Sequence, residues 1–519
     1  MTGTGRSALW VGAGMLVSRL AGLVRDRVFA HYFGNSAAAD AFRAAFRIPN
    51  VLQNLFGEGV LSASFIPVYA GLLARNNPRR AGEVAGGIAA ILGLLTSVLV
   101  LIGVSITPLL IDLIAPGFEG DKRDLTICLV RILFPGAGLL VLSAWCLGIL
   151  NSHRRFFLSY AAPVIWNAAV IASLVAFGAA YDQSALARAA AWGSVAGSLL
   201  QLALQVPTVL RLAGPIRLAL NTGLAEVRQV LRTSVPVLFS RGVVQISAYV
   251  DSMIASLLPT GAVAAIGYAQ TLYLLPFSLF GMSVSAAELP ALSSALGTKE
   301  EIAAGLRTRL DVGLRRIAFL IVPSAVAFAV LGDVVVNAIY QTGRFAAADG
   351  SYVWAILATA SLGLPASTLG RLYASAFYAQ YDTRTPLRFS LARVFLATTL
   401  GYLAAVHGPG LIGLEARWGI AGLTLASALA AAVEYALLRR TLIARIGRTA
   451  LPLGFLVRLW TAALVGAGLA WAVKSQVGGA HPIALALVVL GTYGACYLTL
   501  TWAMQVPEAA ALAARLRRS

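Results

Sequence analysis

Charge is what this chain has least of. Of 519 residues only 12% are Asp, Glu, Lys or Arg, and acids are scarcer than bases, 21 against 40. A soluble domain covers its surface with a charged fraction of about 25%, so the soluble globular class is excluded. Three cysteines, Cys128, Cys146 and Cys496, lie far apart within apolar runs, and four histidines, His31, His153, His407 and His481, lie mostly in the polar breaks. Neither set has the spacing of a disulfide framework or a metal centre, so no metal and no cofactor is expected. The sequence also lacks an HExxH, a P-loop and a nucleophile elbow. Nothing therefore points to hydrolysis, ATP use or redox chemistry, and the expectation is a protein that is not an enzyme.

What the chain does have is apolar length. Hydrophobic residues make up 59% of it, in runs of the roughly 20 residues that cross a bilayer, separated by short polar breaks. The pattern predicts an all-α polytopic membrane protein of about fourteen transmembrane helices, at 8–33, 37–73, 84–115, 125–150, 157–181, 186–211, 232–258, 262–296, 312–341, 351–379, 385–406, 417–438, 453–474 and 481–506. The net charge of +19 alternates from break to break. Arg75, Arg79 and Arg80, then Arg154 and Arg155, then Arg228 and Arg232, then Arg315 and Arg316, then Arg439 and Arg440 mark one side. Breaks such as "HYFGNS", "LPTGA" and "QTGRFAAADG" on the other side are poor in bases or balanced by acids. The positive-inside rule makes the basic set cytoplasmic, with both termini inside and an even number of spans. The basicity is thus topological, and nucleic acid is excluded as a partner. "MTGTGRSALW" runs into the first span without a small-residue cleavage site, so no cleaved signal peptide is expected.

The longest cytoplasmic break follows the sixth span and divides the chain into a first lobe (1–212), a linker (213–231), a second lobe (232–440) and a terminal helix pair (441–519). The two lobes carry related segments. "FGNSAAADAFRAAFRIPNVLQNLFGEGVLSASFIP" resembles "PTGAVAAIGYAQTLYLLPFSLFGMSVSAAELP": Gly34 to Pro49 and Gly261 to Pro276 have equal separation, and a Leu-Phe-Gly follows each proline. Six helices between copies give the copies one orientation. The expectation is two six-helix lobes related by an axis along the membrane normal, around a central cavity.

The second span holds the clearest functional signal. Asp40, Arg43, Arg47, Asn50, Asn54 and Glu58 are spaced by three or four residues and form one polar stripe on a helix. In a membrane such a stripe faces protein or a water-filled cavity, because lipid leaves each group unsolvated. The first span adds Arg19, Arg25, Asp26 and Arg27 within "SRLAGLVRDR". Arginines outnumber acids in this set, which suggests an anionic ligand; ion pairs that merely brace the helices are the alternative. In the seventh span Arg241 lies about 13 Å inside the cytoplasmic end at about 1.5 Å per residue. Asp251, nearer the outer end, reads either as a partner for an arginine or as a cation or proton site that couples transport to a gradient. Arg371 is a further cavity cation, or else snorkels to the cytoplasmic side. Gly12, Gly14, Gly22, Gly34, Gly57 and Gly59 with Pro49 allow close packing or bending. Without an ATP site, transport is gradient-driven or passive. A channel or receptor is the competing class, though a charged cavity shared by two lobes fits alternating access better than an open pore.

"SRLAGLVRDRVFAHYFGNSAAADAFRAAFRIPN", "FGEGVLSASFIPVYA", "APGF", "LPFSLFG", "PSAVAFAVLGDVVVNAIYQTGRF" and "AFYAQYDTRTP" resemble the MurJ (MviN) lipid II flippases of the MOP exporter superfamily, over essentially the whole chain. The resemblance implies a fourteen-helix, two-lobed inner-membrane transporter that carries undecaprenyl-diphosphate-linked cell-wall precursor to the outer leaflet by alternating access. It also implies cavity arginines on the diphosphate and a lipid-tail groove on the last two helices; the chain is expected to be a monomer. Arg19, Arg25, Asp26, Asp40, Glu58 and Asp251 match positions important in that family. Gln53 and Thr271 depart from it, each standing where the family pattern has arginine. Neutral groups are not equivalent to guanidinium toward phosphate. One reading is a lipid II flippase with a shifted site, Arg19, Arg25, Arg43, Arg47 and Arg241 holding the diphosphate and Asp26, Asp40, Asn54 and Glu58 completing the cavity. The other is a divergent paralogue that exports another polyprenyl-linked glycan, or a scaffold that has lost transport. A coupling cation or the membrane potential is the expected driving force, although "RFSLARVFLATTLGYL" lacks obvious polar residues for a cation site.

Overall fold

A computed structural model of the chain describes residues 3–214, 216, 218–282, 299–380, 382–449, 451–477 and 479–516, the side chains of 3–13, 15, 58, 239–248, 281–282, 299–300, 302 and 512–516 excepted. Named elements are all helical among the described residues. Among the described residues eleven helices are long and apolar enough to cross a membrane, or twelve when the bent pair Ala347–Ser361 and Leu364–Ala379 counts as one crossing. Two further helices, α1 (Gly3–Phe33) and α10 (Ala225–Ser256), are 31 and 32 residues long but fall outside that set. They are the helices whose charges stood out in the sequence.

The chain divides into two compact units, Met1–Ala264 and Ala265–Ser519. In the first, α2 (Ala37–Phe56) and α3 (Glu58–Ala74) together make one crossing, interrupted at Gly57. They are followed by α4 (Pro78–Ser105), the short α5 (Thr107–Ile114), α6 (Gly120–Ser152), α7 (Phe156–Ala161), α8 (Pro163–Phe177) and α9 (Gln183–Ala213). Local chemistry sets where several of these begin. Ser36 accepts the Ala39 N–H ahead of α2, Asn77 accepts that of Arg80 ahead of α4, and Asp182 accepts that of Ala185 ahead of α9, each relieving an unpaired first-turn donor. α6 packs on α2 and α9, and α10 packs on α3. Phe65, Tyr69, Val84, Ile88, Ile149, Leu150 and Val227 are buried among them.

Helix ends run beyond the apolar runs that reveal them. α4 begins at Pro78 rather than 84, α10 begins at Ala225, inside the expected linker, and the helix expected from 312 begins at Lys299. The first two of these charged turns are held by side chains: Arg80 makes a two-pronged contact with Glu226 at 3.2 and 3.0 Å, tying the first turns of α4 and α10 together. Hydropathy is blind to such polar extensions.

α11 (Ala262–Pro276) runs into a π-helical turn at Phe277–Met282. The repeated segments share backbone features here. Gly34 and Gly261 both have positive φ, 54° and 96°, ahead of α2 and α11, and a Cβ on Gly261 would lie 2.8 Å from the Asn35 carbonyl oxygen. Each Leu-Phe-Gly falls on an irregularity, the break at Gly57 and the π-turn.

In the second unit the helix Lys299–Tyr340 packs against Leu453–Gln476 and Pro482–Ala503. Pro323 within it has no N–H and releases the Phe319 carbonyl four residues earlier. The Tyr497 hydroxyl donates to that carbonyl at 2.7 Å, and Tyr493 donates to the Pro323 carbonyl at 2.7 Å. An ion pair between Lys474 and Asp333 adds a second tie. Asp382, ahead of the helix Arg384–Tyr402, accepts the N–H of Arg384 and of Thr385, the Thr385 hydroxyl and the Arg445 guanidinium. This gives the "DTRTP" segment a helix-starting role. The Thr385 bonds hold the Asp382 carboxyl well below the usual carboxylate range, with Arg445 adding to the effect.

Tyr497→Phe is expected to cost about 1–2 kcal/mol, because a carbonyl in a membrane helix loses its donor; the melting temperature of the detergent-solubilised protein reports it. Because the Asp382 pKa is depressed, its stabilising contribution is present above the ordinary carboxylate range and is lost only as pH falls through the lower folded value. The drop in melting temperature on Asp382→Asn is therefore expected to be the same at pH 7 and pH 5.

Candidate functional site

The charges of α1 and α2 meet at Asp26. Its carboxylate, 4% exposed, accepts Nε and a terminal nitrogen of Arg25 at 3.1 and 2.8 Å, and Arg43 approaches the same oxygen at 3.6 Å. Aromatic faces hold both guanidinium groups: Arg25 lies 5.0 Å from the Trp166 ring centre and Arg43 5.1 Å from that of Phe29. Trp166 is itself fixed, its indole N–H donating to Ser194 at 3.2 Å. Two guanidinium groups thus converge on one carboxylate, and Arg25 and Arg43 keep 23% and 19% of their side-chain surface exposed.

One turn up the stripe, Asp40 is almost fully buried at 1% exposure. It accepts Lys122 Nζ from the first turn of α6 at 2.7 Å, and the N–H groups of Gly261, just ahead of α11, and of Ala264 in its first turn, each at 2.7 Å. Lys122 also covers the Phe118 ring at 4.1 Å. A carboxylate on a helix N-terminus satisfies orphan donors and complements the helix dipole. Asp40 thus braces three helix starts, with its charge neutralised by Lys122.

The rest of the stripe divides by environment. The Arg47 carbonyl accepts the Tyr249 hydroxyl at 2.8 Å, and the Arg47 side chain lies within electrostatic reach of Asp251. Asn50 and Gln53 line a crevice of about 20 Å³ with Ser194 and Ser198, between α2, α6 and α9. That is room for one water. Asn54, Arg27 and Thr271 are half-buried and Arg19 is exposed; the Thr271 hydroxyl donates to the Gly267 carbonyl one turn back at 3.1 Å. In the second unit Arg371 lies 5.6 Å from the Phe277 ring. The side chains of Glu58 and Arg241 lie outside the described residues.

The profile of the lipid II flippase MurJ proteins matches residues 29–490. The chain belongs to the lipid II flippase MurJ family. A lipid II flippase MurJ of Burkholderia cenocepacia is 32% identical over 519 residues, covering 96% of this chain and 97% of that one. A probable lipid II flippase MurJ of Rhizobium tropici is 34% identical over 79% of this chain and 78% of its own. Among solved structures, a lipid II flippase MurJ in an inward closed conformation superposes with a TM-score of 0.76 at 21% identity, over 95% of this chain and 98% of that one. An inward-facing MATE multidrug transporter of the MOP superfamily superposes at 0.66 and 18% identity, over 86% of this chain and 100% of its own. The fold is that of these transporters, and the chain is a multi-span helical membrane protein of a bacterial flippase family.

Sequence reasoning missed Lys122, Trp166 and Tyr249. Lys122 sits in a mixed-charge break, "PGFEGDKRD", 82 residues from its partner, and no periodicity links the two. Trp166 looks like ordinary apolar filling until Arg25 is seen beside it.

Lys122→Met is expected to destabilise the protein by about 3–5 kcal/mol, because Asp40 is left buried and charged. Adding Asp40→Asn should recover part of the loss; a double variant that melts no higher than Lys122→Met alone would contradict the pairing.

Proposed function

We propose that this protein moves lipid II, an undecaprenyl-diphosphate-linked precursor, from the inner to the outer leaflet of the bacterial cytoplasmic membrane by alternating access. The observation that carries the reading is the Arg25–Asp26–Arg43 cluster, two part-exposed guanidinium groups gathered at one carboxylate, a donor set that suits a diphosphate. Family membership supplies the cargo. Arg19, Arg47 and Arg241 complete the cationic set, and Gln53 and Thr271 offer neutral contacts, so the charge on the diphosphate comes from α1, α2 and α10. Asp26, Asp40, Asn54 and Glu58 orient these groups.

Both termini are cytoplasmic, by the charge alternation of the breaks. Counting α1 and α10 with the twelve apolar crossings makes fourteen spans. The two-lobe organisation, 1–212 and 232–440 with the pair 441–519 forming the lipid-tail groove, is supported by the shared backbone features at Gly34 and Gly261. The protein works as a monomer and catalyses no covalent chemistry. Asp251, lying near Arg47, acts in ion pairing; the driving force is the membrane potential or a cation held elsewhere.

Expression in a bacterium depleted of its own lipid II flippase tests the reading. Wall synthesis and cell shape should recover with the wild-type chain and with Arg123→Gln, an arginine outside the cluster. Recovery should fail with Arg25→Ala or Arg43→Ala at equal membrane abundance. A wild-type chain that reaches the membrane without restoring wall synthesis would overturn the cargo assignment.

A further inference from the structure

Away from the arginine cluster, α6 and α9 enclose a crevice of about 470 Å³ lined by Asp124, Cys128, Arg131, Ile132, Pro135 and Trp192. It opens on a face that lipid covers, since Trp192, Leu199, Leu200 and Leu204 of α9 are 43–60% exposed there and such a face in a membrane span meets acyl chains. Arg131 lies in an apolar crossing helix and is exposed, with no ion pair or side-chain hydrogen bond to any described residue. An arginine in that setting needs an anion or headgroup water.

Depth and direction narrow the partner. α6 has 33 residues, about 50 Å at 1.5 Å per residue, and overhangs a core of about 30 Å by about 10 Å at each end. Arg131 is eleven residues from the helix start at Gly120, which places it about 6–7 Å below the hydrocarbon boundary at that end. Helical side chains lean toward the N-terminus, so the guanidinium is directed up to the headgroup level. Asp124, exposed and two turns nearer that boundary, lies on the same face. Its neighbour Arg123 is committed to Asp112 by two bonds at 2.8 and 3.1 Å. Trp192 supplies an indole at interfacial depth.

The order along the axis, a cation deeper and a carboxylate shallower, is the inverse of a headgroup with phosphate below and ammonium above. We propose that this crevice binds a phosphatidylethanolamine of the outer leaflet, its phosphate on Arg131, its ammonium on Asp124 and an acyl chain along Ile132 and Pro135. Phosphatidylglycerol satisfies Arg131 alone. The leaflet rests on the orientation proposed above; the binding does not.

The test uses the purified full chain in detergent with equimolar phosphatidylethanolamine and phosphatidylglycerol of identical acyl chains, bound lipid being read by native mass spectrometry. Cys128, which lines the crevice, reports site occupancy through its rate of alkylation. Wild type should retain ethanolamine lipid over glycerol lipid, and ethanolamine lipid should slow Cys128 alkylation. Asp124→Asn should lower the preference by about tenfold, the scale of a single charge-assisted contact. Arg131→Gln should abolish the slowing for both lipids, and Arg131→Lys should retain it. Equal slowing by both lipids in wild type, or an Arg131→Gln variant indistinguishable from it, would overturn the assignment. A Glu119→Cys variant treated with an impermeant maleimide on intact cells reads the orientation separately: labelling from outside supports the outer leaflet, and labelling only after lysis moves the site to the inner one.

Discussion

Asp40 is a carboxylate removed from water inside a membrane protein, and its surroundings replace that water with Lys122 and the N–H groups of Gly261 and Ala264. An unanswered charge at this depth costs several kcal/mol, so the bonds are conditions of folding more than additions to it. They fix the start of α2 against the first turns of α6 and α11. From that anchor the helix carries Arg43 one turn further, to the level of Asp26 on α1. Glycine is required at 261 because the chain turns there with φ of 96° against Asn35.

The same constraint separates bracing charges from binding ones. Lys122 cancels Asp40. That pair holds helices and leaves little for a ligand. Asp26 instead faces two guanidinium groups, each stacked on a ring and each partly exposed. In the function proposed above, the exposed parts of these two groups are what a diphosphate meets. Gln53 and Asn50 line a crevice with Ser194 and Ser198, so part of the polar surface of α2 faces its neighbours within the unit.

Period and spacing were enough to read much of this. The three- and four-residue steps of the α2 stripe, the matching Gly-to-Pro intervals and the basic breaks are local patterns, and the helices follow them. Contacts between distant segments were illegible for the opposite reason. Lys122 to Asp40 spans 82 residues and Tyr497 to Phe319 spans 178, and no periodicity encodes either. Helix starts at Pro78 and Ala225 were missed because the charged turns there are held by a cap and a cross-helix ion pair, which hydropathy does not register.

The central claim is that the Arg25–Asp26–Arg43 cluster carries the charge that selects a diphosphate. Equilibrium binding of undecaprenyl diphosphate and undecaprenyl monophosphate to the purified protein measures this most directly. The account predicts that Arg25→Gln and Arg43→Gln each weaken diphosphate binding by about tenfold, the scale of one charge-assisted contact, and narrow its advantage over monophosphate. Unchanged affinity for both lipids in both variants would contradict it.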